Sequence, residues 1–235
     1  MTRRKARWWL SIPLLLAGIF LGIQLWFFGW ILVWRVTEPG PTQFMRIRLE
    51  ELQRKNPAAR LEHHWVPYNR ISANLKRALI AAEDSKFMQH QGFDIEGIQK
   101  AMEKNEKRGR IAAGGSTITQ QLAKNLFLWP EKSLLRKGEE ALITVMIEST
   151  WSKRRILEVY MNEIEWGTGV FGAEAAARHY FGVPASDLSE YQAAMLASMV
   201  PSPQYYDRKG ETDGLLRQTE VILERMNKVA IPPVK

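Results

Sequence analysis

The chain has 235 residues, no cysteine, 46% apolar residues and 33 lysines and arginines against 25 acids. That composition excludes a disordered, collagen-like or disulfide-stapled protein and leaves room for one domain with an appendage. The net charge of +8 stops looking like a nucleic-acid signature once it is divided by region: Arg3, Arg4, Lys5, Arg7 and Arg35 occupy the first 35 residues with no acid, while the other 200 residues carry 28 basic and 25 acidic side chains. So small an excess predicts no nucleic-acid partner.

From Trp8 to Trp34 the chain runs 27 residues without a charge. As a helix this stretch reaches roughly 40 Å, enough to cross a hydrocarbon core of about 30 Å with tilt. Trp8 and Trp9 at one end and Trp26, Trp30 and Trp34 near the other suit the two interfaces. A cleaved signal peptide is disfavoured, because the apolar run is far longer than the usual ~7–15 residues and no small-x-small site follows it. Four basic residues precede the span, so the positive-inside rule leaves the N-terminus in the cytoplasm and sends the rest across the membrane. The expected location is the inner (cytoplasmic) membrane, single-pass, with a periplasmic domain. The expected organisation is a basic tail over 1–7, a transmembrane helix over 8–34, a linker over 35–45 and one domain over 46–235. On this reading residues 1–35 anchor and do nothing else.

After the linker the pattern is helical. Leu75, Leu79, Ala82 and Phe87 repeat at near-helical spacing over 73–90, and Ile95, Ile98 and Met102 over 94–108. Thr117 and Gln120 form a capping box for a helix reaching Phe127, with Pro130 just beyond. Further helices are expected over 134–149, 153–164, 173–180, 189–199 and 215–229. No run alternates with period two for long, so the fold class is mainly α, around one core.

His63, His64, His90 and His179 form no close ligand pair, which leaves no zinc signature. Phosphate-loop, nucleophile-elbow and acyl-serine motifs are missing too. In EDSKFMQHQGFD, one helical face would carry Glu83, Phe87 and His90. A carboxylate beside such apolar bulk has a raised pKa and suits general acid or base work. In GGSTITQQLAKN, Gly114, Gly115 and the hydroxyls at a helix start offer N–H groups and a dipole to an anion, with Lys124 two turns further on. RKGEE sets Arg136 and Lys137 within a turn of Glu140. Phe127, Leu128, Trp129, Leu134 and Leu135 would dip into the lipid surface, with Lys132 and Arg136 beside anionic head groups.

These segments, followed by KRRILEVYMNEIEWG and the stretch from Gly169 to Tyr206, occur in an order that resembles the peptidoglycan glycosyltransferase family, as in the glycosyltransferase domains of class A penicillin-binding proteins. The short chain with one span is similar to the monofunctional members. Met161 and Val183 depart from the usual leucine and polar residue, at positions with no catalytic part. The resemblance implies a lysozyme-like helical domain with a small membrane-proximal jaw. It also implies polymerisation of lipid II into glycan strands with release of undecaprenyl diphosphate. By motif position Glu83 matches the general base and Glu140 the second essential glutamate. Lys124, Arg136 and Lys137 match residues near the diphosphate; Asp84, Phe87, His90, Ser116, Thr117, Gln121, Asn125 and Asn162 match other substrate-binding positions.

The implied partners are lipid II, the growing glycan chain, the bilayer, and proteins of a cell-wall or division complex. No cofactor is required by the sequence; Mg²⁺ or Mn²⁺ at the lipid diphosphate is compatible with hard oxygen ligands. Two rival readings share some of these features. A lytic, lysozyme-like enzyme shares the fold and paired carboxylates but gives no reason for the three cations. A non-catalytic membrane scaffold would tolerate loss of both glutamates.

Overall fold

A computed structural model describes residues 8–108, 115–131 and 133–234. Arg3, Arg4, Lys5, Arg7, Gly114 and Lys132 lie outside the described residues. The first helix, α1 (Trp8–Trp34), contains a stretch, Ser11–Trp34, long and apolar enough to serve as a membrane anchor. Its last turns do more than that. Phe27 and Ile31 are buried against the domain, and the Trp151 indole donates to the Ile31 carbonyl at 2.8 Å. The Arg155 guanidinium donates to the Trp34 carbonyl at 2.9 and 3.1 Å and also to that of Thr37. Gln24, itself buried, donates to both carboxylate oxygens of Glu139 at 2.9 and 3.2 Å. The expectation of a purely anchoring segment is therefore corrected: the last turns of the span join the core through Phe27 and Ile31.

The linker is also shorter than expected, since Thr42 accepts from the Met45 N–H and starts α2 (Gln43–Lys55). A second correction concerns the helix expected over 73–90. Ser72 caps α3 (Ala73–Glu83) at its start, but the helix ends at Glu83. The Asp84 carboxylate turns away to accept from the Ile118 N–H at 3.1 Å and to pair with His90 Nε2 at 2.8 Å. Local side-chain bonding of this kind competes with helix continuation.

The remaining helices match the expected spans to within a few residues: α4 (Ile95–Arg108), α5 (Ile118–Phe127), α6 (Leu134–Thr150), α7 (Lys153–Glu163), α8 (Ala173–Phe181) and α9 (Glu190–Met199). The helix expected over 215–229 is α11 (Asp213–Met226), and before it lies a short α10 (Pro203–Lys209) that was not foreseen. The Thr117–Gln120 capping box is formed. Helix α9 has no polar face, because Ala193, Ala194, Leu196, Ala197 and Met199 are all buried; a helix apolar all round belongs inside, and it packs between α3 and α11. A three-stranded sheet was not foreseen. Strands β1 (Glu62–His63), β2 (Glu165–Gly167) and β3 (Val170–Phe171) lie in the order β1-β3-β2, the first pair parallel and the second antiparallel. Strands of two or three residues are too short for alternation to show.

Removing residues 1–35 uncovers Trp151, Phe127 and the α6 face. In detergent the fragment is expected to melt at a lower temperature than the full chain. Trp151→Phe, which deletes one buried hydrogen bond, should cost about 0.5–1.5 kcal/mol. Equal thermal midpoints for fragment and full chain would return the span to a purely anchoring role.

Candidate active site

Because α3 stops at Glu83, that carboxylate stands at a helix end rather than on a continuous face with Phe87 and His90. Its partner comes from α5: Gln121 Nε2 donates to Glu83 Oε2 at 2.6 Å. The amide is held from behind by α7, where the buried Tyr160 hydroxyl donates to Gln121 Oε1 at 2.9 Å. With its oxygen committed to Tyr160, the amide has only its NH₂ to offer Glu83. Burial raises the Glu83 pKa, while the Gln121 hydrogen bond and the Lys124 charge pull it back down. The expectation of a raised pKa stands, although the apolar bulk is the packed wall and not the Phe87 ring.

Two recesses flank this pair. Glu83 lines one of about 250 Å³, together with Asp84, Asp94, Ser116, Thr117 and Arg225. Gln121 lines the other, a cleft of about 420 Å³ shared with Phe44, Arg48, Lys124, Asn125, Glu165 and Tyr205. The wall of the larger cleft is fixed by Glu165, which accepts from Arg48 at 2.8 and 3.0 Å and from Gln204 at 3.0 Å.

A cationic cluster lies beside the pair on the first turns of α6. The Glu140 carboxylate is buried between Arg136, whose Nη1 donates at 2.9 Å, and Lys137. Lys137 also donates to the Ser116 hydroxyl at 3.2 Å, tying this cluster to the smaller recess. Arg136 Nε is buried and has no hydrogen-bond partner among the described residues. Lys124 lines the larger cleft; burial and the neighbouring Arg136 and Lys137 lower its pKa, and Glu140 and Glu83 raise it.

Several of the expected substrate-binding residues have partners within the protein. Phe87 is fully buried in the core beneath the Lys153 ammonium, 4.5 Å from its ring centre. His90 serves Asp84. Asn162 is fully buried, and its amide bonds Val66 on both backbone atoms and the Glu158 carbonyl, where it staples two segments. Thr117 lines the smaller recess, but its hydroxyl donates to the Gly92 carbonyl at 2.7 Å. The helix start expected to bind an external anion already has one, since the Asp84 carboxylate takes the Ile118 N–H. The reading missed Tyr160, Glu165 and Arg48, each of which acts through a partner distant in sequence. It missed Glu163 as well: that carboxyl is buried without a hydrogen-bond partner among the described residues, and burial pushes its pKa up to about 8.

Comparison with known proteins adds a family. The model of a family described as Transglycosylase matches residues 50–227. A protein of Dechloromonas aromatica (strain RCB), named biosynthetic peptidoglycan transglycosylase, is 62% identical over 225 residues, covering 95% of this chain and 97% of its own. Relatives of the same name from Laribacter hongkongensis (strain HLHK9) and Janthinobacterium sp. (strain Marseille) are 59% and 55% identical. They span 92% and 98% of this chain and 95% and 98% of their own lengths.

The Tyr160–Gln121–Glu83 chain predicts its own titration. Gln121→Leu removes a donor that favours the carboxylate, so Glu83 should ionise at higher pH than in the parent. Tyr160→Phe should shift it in the same direction by less, because the amide survives but is free to turn. NMR of carbon-13-labelled glutamate, with Glu83→Gln assigning the signal, reads both shifts; an unchanged or lowered pKa in Gln121→Leu would contradict the arrangement.

Proposed function

The chain belongs to the transglycosylase family, and on that footing we propose that it is a peptidoglycan glycosyltransferase of cell-wall biosynthesis, polymerising lipid II at the outer face of the inner membrane. The observation that carries this reading is the Glu83–Gln121 pair standing between two recesses, with Lys124, Arg136 and Lys137 alongside. A transfer between two sugars needs two sites meeting at one base. A diphosphate leaving group needs cations, which hydrolysis of a neutral glycan does not.

In the proposed reaction the 4-hydroxyl of one sugar attacks the anomeric carbon of another that is α-linked to diphosphate. Glu83 Oε accepts the hydroxyl proton as the new β-1,4 bond forms. The bond from the anomeric carbon to the diphosphate oxygen breaks, and undecaprenyl diphosphate leaves with the electron pair, so the centre inverts. A base must be ionised to act, and Gln121 and Lys124 serve that end by opposing the effect of burial on Glu83. The growing negative charge falls to Lys124, which lines the larger cleft, with the charges of Arg136 and Lys137 beside it. Glu140 holds Arg136 and Lys137 in register and takes no proton.

Among the described residues no three His, Asp or Glu side chains gather into a metal site. A Mg²⁺ or Mn²⁺ ion at the lipid diphosphate would take hard oxygen ligands. With the N-terminal basic cluster held in the cytoplasm, the domain faces the periplasm. Exposed Trp129, Leu134 and Leu135 at the α5–α6 turn suit a lipid-facing jaw.

Purified full-length chain given lipid II should make polymer. Glu83→Gln should lower turnover by about 10²–10⁴-fold with donor affinity retained. The parent's rate should fall as pH drops through the raised Glu83 pKa, and the variant's residual rate should lose that limb. Glu140→Gln should weaken binding and turnover together, because it unseats two cations. Near-normal polymer synthesis by Glu83→Gln would remove the mechanism, and cleavage of preformed peptidoglycan by a parent inactive on lipid II would favour the lytic reading.

A further inference from the structure

One wall of the larger cleft comes from α2, and Arg48 on that helix precedes residues 50–227, the stretch matched by the family model. Phe44, Arg48 and Leu52 are spaced four residues apart, so they share one face of α2. Each meets a different partner. The Phe44 ring centre lies 5.9 Å from the Lys124 ammonium of α5. Arg48 reaches Glu165 on β2. Leu52 lies against the turn after β2, where a Cβ added at Gly169 would come within 2.8 Å of Leu52 Cδ1.

The Arg48–Glu165 contact is a fork. Arg48 Nε donates to Glu165 Oε1 at 2.8 Å, and Nη2 donates to Oε2 at 3.0 Å. The α10 side joins through Gln204, whose Nε2 donates to Oε2 at 3.0 Å, and the Gly169 N–H adds a bond to Oε1 at 3.3 Å. Four donors use the whole accepting capacity of one carboxylate, so Glu165 is committed to the protein. Its side chain is 7% exposed and that of Arg48 19%. Arg48, Glu165 and Gln204 all line the cleft, so the network runs along it from α2 through β2 to α10.

We propose that the Arg48–Glu165–Gln204 network is a brace that sets the width of this cleft, and that Arg48 and Glu165 are positioning residues for the lipid-linked substrate held there. The inference rests on the glycosyltransferase reading and deepens it. Keeping α2 in place does not by itself call for charges, because the buried Met45 and Leu52 already pack it. A shielded ion pair is often no more stabilising than apolar contact in its place. A planar fork adds what apolar packing lacks, since it fixes distance and angle together. Here it fixes the helix carrying Phe44 relative to the helix carrying Tyr205, and a sugar diphosphate beside Lys124 has to fit between them.

The test measures polymerisation of lipid II by full-length protein in detergent. Glu165→Gln and Arg48→Met should each raise KM about tenfold while kcat falls by less than about threefold. Arg48→Lys keeps the charge without the fork and should lie between parent and Arg48→Met. The double variant should be no worse than either single one, because both remove the same interaction. Side chains acting on the substrate through charge alone would behave differently: KM would rise on loss of the cation and fall on loss of the carboxylate.

A second measurement needs no turnover. The chain has no cysteine, so spin labels at Glu50→Cys on α2 and Arg208→Cys on α10, both exposed positions, report a single distance. Its distribution should widen in Glu165→Gln and in Arg48→Met. KM shifts of opposite sign, effects that multiply in the double variant, or a lowered melting temperature with unchanged KM would each overturn the proposal. An unchanged distance distribution would do so as well. If the parent makes no polymer, it is the underlying glycosyltransferase reading that fails, and the spin-label distance still decides whether the brace exists.

Discussion

A carboxylate that is to act as a base from inside a packed wall, as proposed for Glu83, has to remain ionised where burial favours the neutral acid. The Gln121 amide answers that requirement at Glu83, and much of the architecture can be read as holding the amide still. Tyr160 fixes its oxygen from α7, α5 carries it, and the early end of α3 delivers Glu83 to it. Three helices meet in a single hydrogen-bonded chain, so a small shift of any one of them changes the charge state of the base. The buried α9 stiffens this meeting point by packing on α3. The Asp84 bond to Ile118 pins the end of α3 to the start of α5 just beside it.

The Glu140 cluster obeys a different logic. Burying a carboxylate with two cations is seldom a net gain in stability, because desolvation offsets much of the attraction. Its value is positional. One carboxylate neutralises part of two positive charges, so Arg136 and Lys137 sit together near Lys124 without driving one another apart.

The sequence made some of this legible and hid the rest, for reasons that lie in particular residues. The capping box at Thr117 and Gln120, the Arg136–Glu140 turn and the long apolar span are local patterns, and they emerged as expected. Glu83, Phe87 and His90 did not share a helix face, since periodicity cannot reveal that Asp84 is bonded to a backbone N–H 34 residues away. Asn162 and Phe87 carry family-motif positions yet serve packing, because a motif records residues needed for the fold as readily as those touching substrate. Tyr160 was invisible for the complementary reason. Its hydroxyl matters only through Gln121, 39 residues earlier.

The span shows how far such non-local coupling extends. A transmembrane helix read by composition is a tether, and nothing in a hydropathy pattern distinguishes lipid-facing from protein-facing turns. The buried Gln24 marks the difference, because a polar side chain within an apolar span needs a partner, and it finds one in Glu139, the residue before Glu140 on α6. Arg155 then binds the Trp34 carbonyl at the helix's far end, and Trp151 adds a second bond to the Ile31 carbonyl, which also accepts from the Arg35 N–H. The membrane helix is thereby fixed along α6, the same helix that presents Arg136, Lys137 and Glu140. Direct bonds thus join the apolar span to the helix carrying the charges, so the position of that cluster relative to the span is fixed by the fold.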